Sequence, residues 1–159
     1  MDLNKLASSK NIEDKIKAAK NLECSPQDLE TMIMDESIPW GSELANTLVD
    51  AIVSNRNCPP AHLSTIYRHP FKDEQRKLIL QNPICPQDIL IDVMEGDNTE
   101  LKEYALQSPG ISKQVISTLI KNESIGSRLI ESISERDDLD KEAIEIVNLK
   151  MKLLKLNNE

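Results

Sequence analysis

Apolar side chains recur along this chain at spacings of three and four residues, in short bursts separated by polar turns, with no convincing strand-like alternation. One series of bursts comprises Leu48, Ile52 and Val53; Leu78, Ile79 and Leu80; Leu101, Ala105 and Leu106; and Leu129, Ile130 and Ile133. A second series comprises Leu29, Met32 and Ile33; Leu63 and Ile66; Leu90 and Val93; Ile116 and Leu119; and Ile144 and Val147. The two series alternate. The pattern therefore predicts pairs of short helices, each with one buried stripe.

The turns between the paired bursts resemble one another. Asn21, Asn55 and Asn82 each stand three residues ahead of Cys24, Cys58 or Cys85, and Ser108–Ile111 and Arg136–Leu139 occupy the same two columns further on. Successive members of the cysteine column are 34, 27, 26 and 28 residues apart, an internal repeat of about 27 residues with one longer member. Ser25, Pro59, Pro86, Ser112 or Asp140 follows that column, residues that open helices by capping free N–H groups or by setting φ. The asparagines fit the turn, where a short amide bonds local backbone. Pairs of short helices cannot bury their own stripes, so the expected fold is all-α: an α-solenoid of about five two-helix repeats. Residues 1–20 are expected to cap it at the N-terminus, 21–147 to form the repeats and 148–159 to form a C-terminal helical cap.

Composition agrees with helices. Glycines number four, prolines eight, and aromatic residues make up 3% of the chain. No stretch approaches the ~20 apolar residues of a membrane span, and the first residues lack the apolar segment of a signal peptide, so a cytoplasmic protein with reduced thiols is expected. The net charge of −8 argues against direct nucleic-acid binding, which needs a basic footprint, and favours a basic partner.

Three matched cysteines invite a metal or disulfide reading. Equivalent positions in stacked repeats lie about 8–10 Å apart, beyond the ~7 Å Cα limit of a disulfide and far beyond a shared zinc ion. Ile111 and Leu139 fill the same column, so the site asks for a small or medium apolar side chain. The four glycines form no nucleotide-binding loop, and His62 and His69 have no ligand at a familiar spacing. No cofactor, metal or catalytic residue is expected.

The segment "NPICPQDILIDVMEGDNTELKEYALQSP" resembles a unit of the leucine-rich repeat variant family. Asn82, Pro83, Pro86, Leu90, Val93 and Asp97 fit its columns, Leu101 and Lys102 stand for Val-Arg, and Ala105 and Leu106 for the small apolar pair. The resemblance runs from about Asn21 to Val147 and implies alternating α- and 3₁₀-helices in a right-handed superhelix. The outer units depart most: Asp14 takes the column of Leu48 and Leu101, and Arg136 replaces asparagine. Because shape defines the family, the likeness implies little about function.

Two surfaces stand out. The long first interval has about seven extra residues near "MDESIPWGSE", which holds the single tryptophan, Trp40, with Asp35, Glu36, Ile38 and Glu43. Insertions in repeat arrays map to one face and tryptophan favours interface centres, so these five residues are the candidate partner-binding site; folding of Trp40 onto the core is the alternative. The acids gather in runs, with seven and no Lys or Arg from Glu23 to Asp50. The tail from Lys141 carries more apolar surface than one face requires, and either caps the stack or pairs with a second copy. The expected function is a non-catalytic protein- or peptide-binding module, the alternative an acidic nucleic-acid mimic that occupies a basic DNA- or RNA-binding protein.

Overall fold

The computed structural model describes residues 2–70, 72–121 and 125–156. The last three positions of the expected terminal cap, 157–159, lie outside them. The described residues form eleven helices and no strand. The chain divides into two compact units, Met1–Pro86 and Gln87–Glu159.

The first unit contains α1 (Leu3–Ala7), α2 (Ile12–Ala19), α3 (Pro26–Ile33), α4 (Glu43–Ser54), α5 (Pro60–Arg68) and α6 (Asp73–Gln81). Helix α4 packs against both α2 and α6, α1 lies on α2 and α3, and α5 lies on α6. The core of this layer is the predicted one, with Leu48, Ile52, Val53, Ile79 and Leu80 buried. Leu29, Met32, Leu63 and Ile66 supply the buried stripes of α3 and α5.

The second unit contains α7 (Gln87–Glu95), α8 (Thr99–Leu106), α9 (Lys113–Lys121), α10 (Ser127–Ser134) and α11 (Lys141–Leu156). Helix α9 packs against α7 and α11, α8 against α7 and α10, and α10 against α11. Leu90, Val93, Ala105, Leu106, Ile116, Leu119, Leu129, Ile130, Ile133 and Val147 are buried as the periodicity requires. Ile144 is a correction, for it is 45% exposed. Its neighbour Ala143 is buried instead, while both corresponding residues of α9, Val115 and Ile116, are buried. Helix α11 packs on α9 and α10 with Ala143 and Val147 turned inward, which leaves Ile144 on the outer side.

Five helices, α3, α5, α7, α9 and α11, each begin two residues after the cysteine column. Ser25 accepts a hydrogen bond from the Asp28 N–H at 3.1 Å and Asp140 one from the Ala143 N–H at 2.8 Å, the N-caps that satisfy free donors. The turns before α3, α5, α7 and α9 are closed by the same main-chain bond: the N–H groups of Cys24, Cys58, Cys85 and Ile111 donate to the carbonyls of Asn21, Asn55, Asn82 and Ser108 at 2.9–3.2 Å. None of the three cysteines forms a disulfide, and all three are buried. Burial pushes the Cys58 thiol up to about 12, and burial followed by the nearby Asp28 pushes the Cys24 thiol up to about 11.

The asparagines tie one turn to the turn before it. The Asn55 amide Nδ2 donates to the carbonyls of Ala19 and Asn21 at 2.7 and 2.9 Å, and that of Asn82 to Val53 and Asn55 at 2.6 and 3.1 Å. Their Oδ1 atoms accept from the N–H two residues on, at Asn57 and Ile84. Every polar atom of the buried amide thus has a partner. In the second unit Arg136 stands in the asparagine column, and its guanidinium donates to the Leu106 carbonyl at 2.6 Å. Leu106 lies two residues before Ser108, as Ala19 and Val53 lie two before Asn21 and Asn55. The substitution keeps the contact through a longer arm, and Asp138 grips the same guanidinium with two bonds of 2.8 Å.

Candidate functional site

The insertion between α3 and α4 is built from its backbone outward. Met34 closes α3 with its N–H on the Glu30 carbonyl at 2.9 Å, and the Asp35 carboxylate then accepts from the Ser37 N–H and hydroxyl at 2.9 and 2.6 Å. The other carboxylate oxygen lies 2.9 Å from Lys15 Nζ on α2. The Ser37 hydroxyl bond, then Lys15 and the Ser37 N–H, hold the Asp35 carboxyl down at about 2. Lys15 is only 2% exposed and also donates to the Ala7 carbonyl at 2.7 Å, so this charge is compensated where it is buried.

After Asp35 the chain turns sharply. The Trp40 N–H donates to the Ile38 carbonyl at 2.8 Å, a three-residue turn centred on Pro39. Gly41 follows with φ of 96°, left-handed space that a side chain would strain. Ser42 then caps α4 by accepting from the Ala45 N–H at 3.2 Å. Ile38 is 5% exposed and fastens the insertion to the core.

Trp40 is half-buried and forms one wall of an apolar cavity of about 260 Å³. Ile33 of α3, Val49 and Ile52 of α4, Thr65 and Ile66 of α5, and His69 just after α5 form the rest. Small-molecule sites commonly measure roughly 300–1,000 Å³, so this cavity is sized for one large apolar side chain. Nearby, His62 Nε2 lies 3.6 Å from the exposed Glu30 carboxylate. A larger concavity of about 590 Å³ lies over α8 and α10, but its lining is polar, and Glu103 and Arg128 neutralise each other across it at 2.8 Å.

The five residues read from the sequence therefore have different places. Trp40 lines the cavity; Glu36 and Glu43 are exposed; Ile38 is buried and unavailable to a partner; Asp35 is committed to Lys15 and Ser37. The expectation that the acidic segment lacks a local cation is corrected by Lys15, brought in from α2. Of the seven acids from Glu23 to Asp50, Asp28 is buried with bonds from Ser25 and Asn4, and Asp50 accepts from Gln75 at 3.0 Å. Glu23, Glu30, Glu36 and Glu43 remain on the exposed surface.

Thr65, Ile66 and His69 were not read as site residues. The available signal was their spacing of three and four over the last turn of α5 and its C-cap, opposite an insertion that carries an aromatic. Among the described residues no cluster of three His, Cys, Asp or Glu side chains is arranged to hold a metal ion, and no helix is long and apolar enough to cross a membrane. Comparison with protein-family models, curated proteins and solved structures finds no match.

Proposed function

We propose that this chain is a non-catalytic peptide-binding module, a cytoplasmic α-solenoid of the leucine-rich repeat variant kind, whose partner inserts one large apolar side chain beside Trp40. The observation that carries this reading is the half-buried tryptophan held at the wall of an apolar cavity by an insertion with its own ion pair, turn and glycine. A tryptophan serving only as core would be expected to close the space it faces. This one leaves room, and aromatic walls around an anchor pocket are where binding energy concentrates. Exposed Glu30, Glu36 and Glu43 on the flanking segments favour a partner with Lys or Arg next to its anchor.

Electrostatic mimicry of nucleic acid draws less support. Mimicry needs a dense array of free carboxylates, whereas Asp28, Asp35 and Asp50 are spent on internal bonds. Salt dependence separates the two: anchor docking changes little between low and physiological ionic strength, and mimicry weakens steeply.

The test is selection of a random displayed peptide library on the full chain, with counter-selection on Thr65→Phe, which fills the cavity from its exposed rim. Enriched peptides that share one large apolar residue beside a basic one, and that bind Thr65→Phe at least tenfold more weakly, support the reading. Peptides that bind both proteins equally, or no enrichment, contradict it.

A further inference from the structure

The wall of the Trp40 cavity is not wholly apolar. Thr65, in the last turn of α5, and His69, the residue that caps that helix, both line it. The His69 N–H donates to the Thr65 carbonyl at 3.1 Å, which holds the two residues one turn apart. Each brings a polar side chain to a space otherwise bounded by aliphatic residues and the Trp40 ring.

The hydrogen-bonding capacity left over at these two groups is specific. The Thr65 hydroxyl donates its one proton to the Ala61 carbonyl at 3.0 Å, so toward a ligand it acts only as an acceptor. Among the described residues nothing hydrogen-bonds the His69 imidazole, and a neutral imidazole carries one N–H donor and one acceptor nitrogen. A side chain that fills the cavity displaces water from both groups, and a polar group that loses water without gaining a partner is costly. Leucine, methionine and phenylalanine supply volume but no partner. Tryptophan supplies a donor for Thr65 but no acceptor for the His69 N–H. Tyrosine supplies both at the far end of its ring: its hydroxyl donates to Thr65 while accepting from His69, and its ring packs against the indole wall.

We propose that the anchor residue taken by the Trp40 cavity is a tyrosine, and that Thr65 and His69 are the residues that select it. This selectivity rests on the peptide-binding reading above and adds to it the chemistry of the anchor's tip. An aliphatic lining accepts any large apolar side chain; the hydroxyl and the imidazole discriminate among them.

The experiment uses the full chain and the peptides enriched from a random displayed library, with the anchor position located by alanine scanning of the peptide. Tyrosine should dominate there, and changing it to phenylalanine should weaken binding to the parent roughly three- to tenfold. Thr65→Val keeps the shape of the wall and removes the acceptor, so it should bind the two peptides alike and hold the phenylalanine peptide no worse than the parent does. His69→Leu should likewise weaken the tyrosine peptide alone. Thr65 and His69 are exposed, so neither substitution disturbs the fold. Leucine, methionine or phenylalanine anchors that Thr65→Phe excludes would overturn the tyrosine assignment and leave the peptide-binding reading standing, as would an undiminished preference for tyrosine in Thr65→Val. Absence of any enriched peptide would overturn both.

Discussion

The side-chain amide of Asn82 donates to the main-chain carbonyl of Asn55 at 3.1 Å. Asn55 in turn makes the same bond to Asn21 at 2.9 Å, and each amide also takes the carbonyl two residues earlier. The turns of the first unit are thus linked by buried amides whose every polar atom is used.

Replacing Asn82 by alanine removes both donors and leaves the Val53 and Asn55 carbonyls without them. The expected cost is about 1–3 kcal/mol, read from urea unfolding. Asn82→Asp is expected to cost more, because a carboxylate oxygen then faces two carbonyl oxygens. Equal stability of either variant with the parent would show that the bonds are incidental.

Acid should loosen the insertion. The Asp35 carboxyl titrates at about 2 in the fold against 3.8 for a free carboxyl. Its stabilisation is complete above about 3.8 and is lost as the pH falls from there through about 2, because the unfolded chain takes up the proton first. Asp35→Asn should flatten that part of the stability–pH curve and lower stability at neutral pH by roughly 1–3 kcal/mol, since Lys15 stays buried with a weaker partner. An unchanged curve would mean that the pair does not form in solution.

The thiols should be silent in the native protein. With Cys24 held at about 11 and Cys58 at about 12, both are protonated at pH 8 as well as buried. A thiol reagent is expected to label all three cysteines only as fast as the protein opens, with full labelling in denaturant. Rapid labelling under native conditions would contradict the packing role.

Much of this was legible in the sequence, for physical reasons that also mark its limits. Hydrophobic periodicity locates the helices because burial dictates it, and the residues that follow Cys24, Cys58, Cys85, Ile111 and Leu139 locate five helix starts because capping residues are chemically distinct. Arg136 looked like a departure, yet its reach to Leu106 restores the bond that asparagine makes elsewhere. Ile144 went astray because Ala143 and Ile144 are adjacent and both apolar, and periodicity does not say which of the two turns inward. Lys15 was missed because its partner, Asp35, is twenty residues away, and Ile38 because an apolar residue in an acidic loop looks the same whether it anchors the loop or offers itself to a partner.

Trp40 is the only tryptophan, so its emission reports the candidate site and nothing else. The most direct measurement is a fluorescence titration of the full chain with a selected apolar–basic peptide lacking tryptophan, alongside thermal melts of the parent and Trp40→Ala. Docking beside the ring should shift its emission to the blue with saturable dependence on peptide. Trp40→Ala should lose binding at least tenfold while costing less than the ~3–5 kcal/mol of a fully buried aromatic. A peptide that binds without moving the emission, or a Trp40→Ala protein that binds normally or no longer folds, would place the tryptophan in the core and contradict the account.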